Sequence, residues 1–433
     1  MSASHRIPFQ SLTSNEWRKL GLFAVIIVYV LIFLYSYIQF GVLNSIGSDY
    51  LSYWTMGKIA DVYGFHAMYN VDLIKNVQYS QLSFLKMPFD EFSPMTAPYF
   101  AIFFLPFKFI SRLDAKFGYW LLTIVFAVIL FGYIAWFNKW ILNQNHHTFN
   151  NLLVPLLFFS YPVFTNFIAG QVEVILLICT GHFIYYALKK REIRSGLWLG
   201  GLLLKPQVLV LIIPALILKK SWKPLIGFLI SSIAIISTSL LLTGFDGMVA
   251  MAKLWLNYTE GHTYFVSPGS MANWRMIGYS VSNWSNSNIG WVFSAIGMVI
   301  SLIIWARLSF KNYPYGSYPW IFNFLGIFAI SCAFTWHSHI HMGMVLIPFL
   351  LILGSLRVPG FKTWINDLWV FGFPVAYLLG FFISVLIAVI IKTSNINLSG
   401  TLTAFTGLGI YMAIAIEAAK YPDKIPVDLP TSV

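Results

Sequence analysis

Asp49 lies just beyond the first long apolar stretch of the chain, within the run Gly47–Trp54. A carboxylate at a membrane–water boundary can act as a general base on a hydroxyl group of a lipid-borne substrate. The alternative is structural, because Ser48 or Asp49 would also make a good N-cap for an interfacial helix. A long loop rich in aromatic residues follows, at 44–94. This combination favours an interfacial enzyme, and the residues alone leave open whether Asp49 has a functional or a capping role.

Lys205 lies inside an apolar segment, immediately before Pro206. A cation at the centre of a membrane span costs about 2.5–3.5 kcal/mol on insertion scales, and such residues usually face a polar interior and mark a site. Lys205 could alternatively extend its ammonium group to the membrane surface or bond to the carbonyls of a broken helix. We predict a functional role, such as contact with a substrate phosphate.

Four further polar residues are expected together on one side of the membrane. Gln171 and Glu173 open an apolar stretch, where a helix dipole would also favour a carboxylate. Asn273 and Arg275 lie in one short motif, and arginine suits bidentate contact with a phosphate. The structural alternatives are a helix-end carboxylate for Glu173 and a lipid headgroup anchor for Arg275. These alternatives stay open at this point. From the topology we predict that Gln171 and Arg275 line one outward-facing aqueous cavity with Asp49 and with His337 or a neighbouring histidine.

Three histidines alternate along the chain, at His337, His339 and His341. Alternating histidines could bind a metal ion in an extended segment, but no cysteine or acidic residue lies nearby in sequence, and we predict no metal site. His337 or His339 could instead donate to a substrate phosphate or act as a base. The pattern leaves the choice among the three open, and interfacial histidines in a tight turn are the structural alternative.

The composition is that of a polytopic membrane protein. Of the 433 residues, 58% are hydrophobic and 10% are charged, whereas soluble domains carry about 25% charged residues. Apolar stretches near the roughly 20 residues that cross a bilayer recur along the chain. We expect one all-α transmembrane domain over residues 1–433. The net charge of +12 indicates a positive-inside bias and contact with anionic lipids, and we predict no nucleic acid partner.

The distribution of Lys and Arg residues predicts the orientation of the chain. Basic clusters, among them Lys108-Arg112-Lys116, are assigned to the cytoplasm together with both termini and the tail at 420–433. Asp49 and the long loops 44–94 and 244–287 are then extracytoplasmic. The predicted full spans are 20–43, 95–111, 117–137, 170–188, 224–243, 288–307, 318–336, 341–356, 366–391 and 401–419.

Two apolar segments do not fit this alternation. Residues 196–218 have basic clusters at both ends and a proline near the middle, so we predict two half-helices that enter and leave at the cytoplasmic face. Residues 151–169 are broken at Ser160-Tyr161-Pro162, and we predict that they return to the outer side. Broken helices commonly frame polar sites in membranes.

The order of these motifs resembles a known family over roughly residues 20–360. The runs Gly170-Gln171-Val172-Glu173, Gly196–Gln207 and Lys220–Lys223 are similar to the central signature of polyprenyl-phosphosugar-dependent glycosyltransferases of the GT-C fold. The resemblance is to glycosyltransferase family 87, which contains bacterial α-mannosyltransferases that extend phosphatidylinositol mannosides. The Asp49 loop and the histidine run also fall where the family places polar outer motifs.

The resemblance implies an inverting membrane transferase that moves a sugar, with mannose favoured, from a polyprenyl-phosphosugar to a hydroxyl of a glycolipid or glycan acceptor at the extracytoplasmic face. Polyprenyl phosphate is then the leaving group, so no metal or other cofactor is required. Membrane lipids are further expected partners. The general base would be Asp49, and the substrate-binding residues would be Gln171, Glu173, Lys205, Gln207, Asn273, Arg275, His337 and His339.

A lipid or solute transporter is the main alternative, because broken helices and an intramembrane lysine also occur in transporters. Transporters often contain an internal two-fold repeat, and none is visible in this sequence. A scaffold subunit of an envelope-assembly complex, with the outer loops as docking surfaces, is a third interpretation.

Overall fold

The computed structural model describes residues 14–40, 47–81, 88–143, 152–259, 268–355, 362, 364–391 and 398–421. These residues are 85% helical and form no strand, which confirms the predicted all-α class. Among them, five helices are long and apolar enough to cross a membrane, and shorter apolar helices accompany them. The chain is therefore a polytopic membrane protein.

The helical bundle has two ends, the Asp49 end and the far end opposite to it. The Asp49 end includes Gly47, which packs against the backbone of Gly170. The far end includes a hydrogen bond of 2.8 Å from the Ser355 hydroxyl to the Asn138 side chain.

The chain between α1 (Ser14–Phe40) and α5 (Ala115–Asn143) stays at the Asp49 end. It forms three helices, α2 (Ser48–Val62), α3 (Val71–Gln81) and α4 (Leu105–Ile110). Asp61 in α2 forms a salt bridge of 2.7 Å with Arg112, which follows α4. Beside it, the Trp54 indole donates a hydrogen bond of 3.3 Å to the carbonyl of Leu113.

These contacts show that two topology predictions are wrong. Residues 101–110 form a short apolar helix that covers about 15 Å, whereas a bilayer core is about 30 Å thick, so 95–111 is not a full span. The cluster Lys108-Arg112-Lys116 lies at the Asp49 end, not opposite to it. Hydropathy misled here because this apolar segment packs against protein, as Phe107 does against Gly57 of α2.

The next part of the chain crosses the bundle three times. Helix α5 runs to the far end, α6 (Leu153–Phe158) and α7 (Tyr161–Ala169) return, and α8 (Glu173–Leu188) leads back to the far end. The predicted break is confirmed, since Ser160 between α6 and α7 has an extended backbone. However, Leu153 packs against Gly354 at the far end, while Gly170 packs against Tyr50 at the Asp49 end. The segment therefore crosses the bundle once, with a break, and the prediction that it returns to its starting side is wrong.

Residues 192–218 form the predicted re-entrant pair. Helix α9 (Glu192–Leu199) and a 3-10 turn lead to Lys205, whose backbone is non-helical (φ −136, ψ 80). A second 3-10 turn and α10 (Ile212–Leu218) lead back. Glu192, at the start of the pair, forms a salt bridge of 3.3 Å with Lys223, just after its end. Both ends of the pair therefore lie at the far end of the bundle.

Each of the remaining predicted spans contains a helix, and one further helix, Trp274–Ser285, lies in the predicted loop 244–287. Helix α11 (Trp222–Thr259) has a kink at Gly244 (φ 71), where the predicted span 224–243 ends. Arg18 pairs with Asp367 at 3.0 Å, which places the start of α1 at the same end as the start of α16. The other helices are α12 (Trp274–Ser285), α13 (Ile289–Phe310), α14 (Tyr318–Phe334), α15 (Ile347–Ser355), α16 (Trp364–Ile391) and α17 (Leu398–Lys420).

Parts of the predicted loops lie outside the described residues. These are 44–46 and 82–87 of the first long loop and 260–267 of the second. Of the predicted tail 420–433, residues 422–433 also lie outside them.

Candidate active site

A polar cavity of about 420 Å³ opens at the Asp49 end of the bundle. Its walls come from α2, α7, α17, the tip of the re-entrant pair and the histidine segment between α14 and α15. The structure thus brings together six of the nine predicted site residues on one cavity wall: Asp49, Gln171, Lys205, Gln207, His337 and His339.

Asp49 lies in the first turn of α2, where the helix dipole favours a carboxylate. The N-cap of α2 is Gly47, so neither Ser48 nor Asp49 takes the N-cap position that the capping alternative requires. The Asp49 carboxylate instead accepts a hydrogen bond from the amide nitrogen of Gln171. The side chain is therefore held at the cavity wall by a residue on another element.

Gln171 is oriented by two donors that share its side-chain oxygen. The Tyr53 hydroxyl donates at 2.7 Å and the Lys205 ammonium donates at 2.6 Å, both to Oε1. The amide nitrogen of Gln171 is consequently directed toward Asp49. Sequence reasoning missed Tyr53, although a signal existed, because a residue four positions after Asp49 shares its face of α2.

Lys205 and Glu173 form a buried ion pair behind the cavity wall. Both side chains are buried, and Lys205 lines the cavity whereas Glu173 does not. The His341 ring lies 3.4 Å from the same Glu173 oxygen, and Asn166 accepts a hydrogen bond of 3.1 Å from the Glu173 backbone. Glu173 therefore holds the lysine in place, and its predicted contact with substrate stays a prediction.

The three histidines form one cluster on the cavity wall. The ring centroids of His337 and His339 are 5.0 Å apart, and those of His339 and His341 are 5.4 Å apart. Among the described residues, no group of three or more His, Cys, Asp or Glu side chains has a geometry suited to a metal ion. His341 was not among the predicted binding residues, and only its alternation with the other two pointed to it.

Asn273 holds the histidine segment in place. Its side chain caps α12 by accepting from the Met276 backbone at 3.2 Å, and it donates at 2.8 Å to the carbonyl of Thr335. The adjacent Ala272 donates a backbone hydrogen bond of 2.9 Å to Ser338. Because Asn273 is 0% exposed, it supports the site without facing the cavity.

Arg275 does not line the cavity within the part of the chain that the structure describes. Its guanidinium lies over the ring of Trp336, 4.8 Å from the ring centroid. The predicted common wall of Asp49, Gln171, a histidine and Arg275 is therefore found for the first three residues, and Arg275 lies behind an aromatic side chain.

An apolar groove of about 350 Å³ adjoins the polar cavity. Tyr99, Gln207 and His337 line both hollows, so the two meet at these side chains. Its other wall residues are mostly apolar, with Trp255, Met298, Phe334 and Trp336 among them. A molecule with an apolar chain and a polar head would fit this pair of hollows with its head toward Asp49.

Comparison with known proteins identifies the family. Neither a curated protein nor a solved structure gave a match to this chain. The family model for glycosyltransferase family 87 matches residues 97–335, which is more than half of the chain. The match covers Gln171, Lys205, Asn273 and Arg275, and with the membrane helices it identifies a membrane glycosyltransferase. The chain belongs to glycosyltransferase family 87.

Proposed function

We propose that this protein transfers mannose from a polyprenyl-phosphosugar to a hydroxyl of a lipid or glycan acceptor, with inversion at the anomeric carbon. The observation that carries the proposal is the Asp49 carboxylate, held by Gln171 on the wall of a cavity that continues into an apolar groove. Such a pair of hollows suits a donor with a polar head and a long apolar chain. In this proposal the acceptor hydroxyl enters the cavity beside the carboxylate, which lines it.

Asp49 acts as the general base in the proposed reaction. It takes the proton of the acceptor hydroxyl as the oxygen attacks the anomeric carbon of the sugar. The bond between that carbon and the phosphate oxygen breaks, and polyprenyl phosphate leaves with the bonding electrons. Gln171 donates to the carboxylate, and Lys205 with Tyr53 fixes the amide of Gln171, so the base is held in place before the substrates bind.

The departing phosphate is placed near His337 and Gln207 in this proposal. Both residues lie where the groove meets the cavity, which is where the phosphate of a donor must lie if its chain occupies the groove. Negative charge grows on this phosphate as a diester becomes a monoester. Donors that interact more strongly with the growing charge accelerate the step. His339 and Lys205, on the same cavity wall, add to this environment.

We propose that the Asp49 end is extracytoplasmic. The far end carries several clusters of Lys and Arg, and cytoplasmic segments are enriched in these residues. The cluster Lys108-Arg112-Lys116 lies at the Asp49 end, which reduces the excess of Lys and Arg at the far end without reversing it. The clusters whose described residues remain at the far end contain Arg18-Lys19, Lys189–Arg194, Lys219–Lys223, Arg307-Lys311 and Lys420.

We expect the pH dependence of kcat/KM to reflect Asp49. Burial raises the pKa of Asp49, and Lys205 and Gln171 oppose this only in part, so the carboxylate protonates above the usual value of about 3.9. Burial lowers the pKa of His339 to about 4, so this ring is neutral at pH 7. As pH falls through the pKa of Asp49, the base is lost and kcat/KM falls. We expect an acid limb in the rate profile that disappears in Asp49→Asn, whereas a limb that persists there would assign it to another group.

Arg275 is expected to affect the donor through the groove. Arg275→Ala removes a charge beside Trp336, which lines the groove next to His337, and should lower kcat/KM. Arg275→Lys should restore it only in part, because a point charge replaces a planar group that stacks on the indole. Wild-type kcat/KM in Arg275→Ala would assign the arginine to the fold alone.

The donor is identified by reconstitution. Purified protein in liposomes is given a panel of polyprenyl-phosphosugars together with candidate lipid and glycan acceptors, and products are detected by mass spectrometry. Transfer from polyprenyl-phosphate-mannose, absent in Asp49→Asn, is the expected result. Transfer only from nucleotide sugars would contradict the proposal.

A further inference from the structure

A third hollow, of about 440 Å³, lies at the far end of the bundle and is distinct from the cavity and the groove. Three lysines line it, Lys219, Lys220 and Lys311, together with Ser221 and the ring of Tyr315. One carboxylate, Glu192, also lies on its wall and forms a salt bridge of 3.3 Å with Lys223. The hollow is therefore mainly cationic.

The ammonium group of Lys219 is held against neutral partners. It donates to the carbonyls of Leu308 and Lys311 at 2.9 and 2.6 Å. Burial, and then the positive charge of Lys311, lower the pKa of Lys219 to about 8. An anion in the hollow would favour the charged form of this lysine, because opposite charge nearby stabilises it.

The backbone around the hollow carries two lysines in the left-handed region. Lys220 (φ 52) and Lys190 (φ 54) both have positive φ, a conformation in which a side chain is disfavoured. Each follows the end of a helix, at the position that glycine usually takes. The Lys190 ammonium donates to the carbonyl of Tyr315, on the wall of the hollow. Glycine would fit the backbone better at both positions.

Two exposed aromatic residues are adjacent in sequence to residues that line the hollow. Trp222 follows Ser221 and is 58% exposed, and Phe310 precedes Lys311 and is 72% exposed. Aromatic residues are typical of the boundary between membrane and water. Trp222 begins one candidate membrane span and Phe310 ends another, so the hollow lies beside the ends of two such spans.

We propose that this hollow is a binding site for a phosphate group, held by Lys219, Lys220 and Lys311. The exposed aromatic residues suit a phosphate carried by the headgroup of an anionic lipid, whose acyl chains would lie along Trp222 and Phe310. Free phosphate has the same chemistry and is distinguished by experiment. The site is independent of the glycosyl transfer at the opposite end of the bundle.

Lys220→Gly is the central test, because glycine suits the backbone at φ 52 and the variant should fold. Thermal unfolding is followed in a neutral detergent with added phosphatidylglycerol, phosphatidylcholine or inorganic phosphate, at constant ionic strength. Lys19→Gln is the matched control, since it removes one exposed charge from the same end of the bundle, in α1. Lys219→Gln is a second variant of the hollow itself.

Phosphatidylglycerol is expected to raise the Tm of the wild type and of Lys19→Gln more than phosphatidylcholine does. Lys220→Gly should start with a Tm at least as high as that of the wild type and lose most of this rise, and Lys219→Gln should lose it as well. An equal rise in Tm with inorganic phosphate, lost in Lys220→Gly and Lys219→Gln, would support the site and identify free phosphate as its ligand. The same rise in all four proteins, or none in the wild type, would overturn the proposal.

Discussion

Asp49→Asn is expected to lower kcat by about 10²–10⁴-fold, which is the usual contribution of a general base. Asparagine keeps the size of the side chain, and its amide oxygen can still accept the hydrogen bond from Gln171, but it cannot take a proton. The fold and donor binding should therefore be retained. Turnover in liposomes and donor affinity are measured on the same preparation.

Asp61→Asn is the matched control for this experiment. Asp61 lies on the same helix, and its carboxylate pairs with Arg112 at 2.7 Å, away from the residues that line the cavity. An exposed ion pair of this kind contributes little to stability, so the control should turn over at nearly the wild-type rate. Near-normal turnover in Asp49→Asn would remove Asp49 as the base.

Lys205→Met is expected to give the largest loss of stability, about 3–5 kcal/mol, because it leaves the buried carboxylate of Glu173 without its cation. One Glu173 oxygen already has no hydrogen-bond partner among the described residues, and the His341 ring beside the other oxygen is charged only if it is protonated. The loss would appear as a lower Tm in detergent, together with little or no transferase activity.

The double variant Lys205→Met/Glu173→Leu separates stability from activity. It replaces both members of the pair by apolar side chains of similar size, which is often neutral for stability. Its Tm should recover toward the wild-type value, while turnover stays low because Gln171 has lost one of the two donors that orient its amide. Recovery of both would show that Lys205 serves only the fold, and an unchanged Tm in Lys205→Met would contradict the buried pair.

The sequence by itself determined the class of the protein and much of its helical layout. Its apolar stretches and low charge are sufficient for an all-α membrane protein, because only helices and closed barrels satisfy the backbone within a bilayer. Local signals were also reliable where they depend on backbone chemistry. Pro206 marked the tip of the re-entrant pair, and Ser160-Tyr161-Pro162 marked a broken crossing.

Tertiary structure decided which apolar segments face lipid and which face protein. Hydropathy cannot make this distinction, because residues 95–111 have apolar side chains like those of a true span but pack against protein instead of lipid. The same limit explains Arg275, whose motif favoured a phosphate contact but whose guanidinium stacks on Trp336.

The site itself is also a product of the fold. Asp49 and Gln171 are 122 positions apart in the chain, and the sequence placed them only at a common membrane face. Their hydrogen bond, the orientation of Gln171 by Tyr53 and Lys205, and the burial of Glu173 depend on how α2, α8 and the re-entrant pair pack. The sequence determined the residue types that can do the chemistry, and the packing of distant helices decided which of them meet, because contacts across a bundle have no local signal.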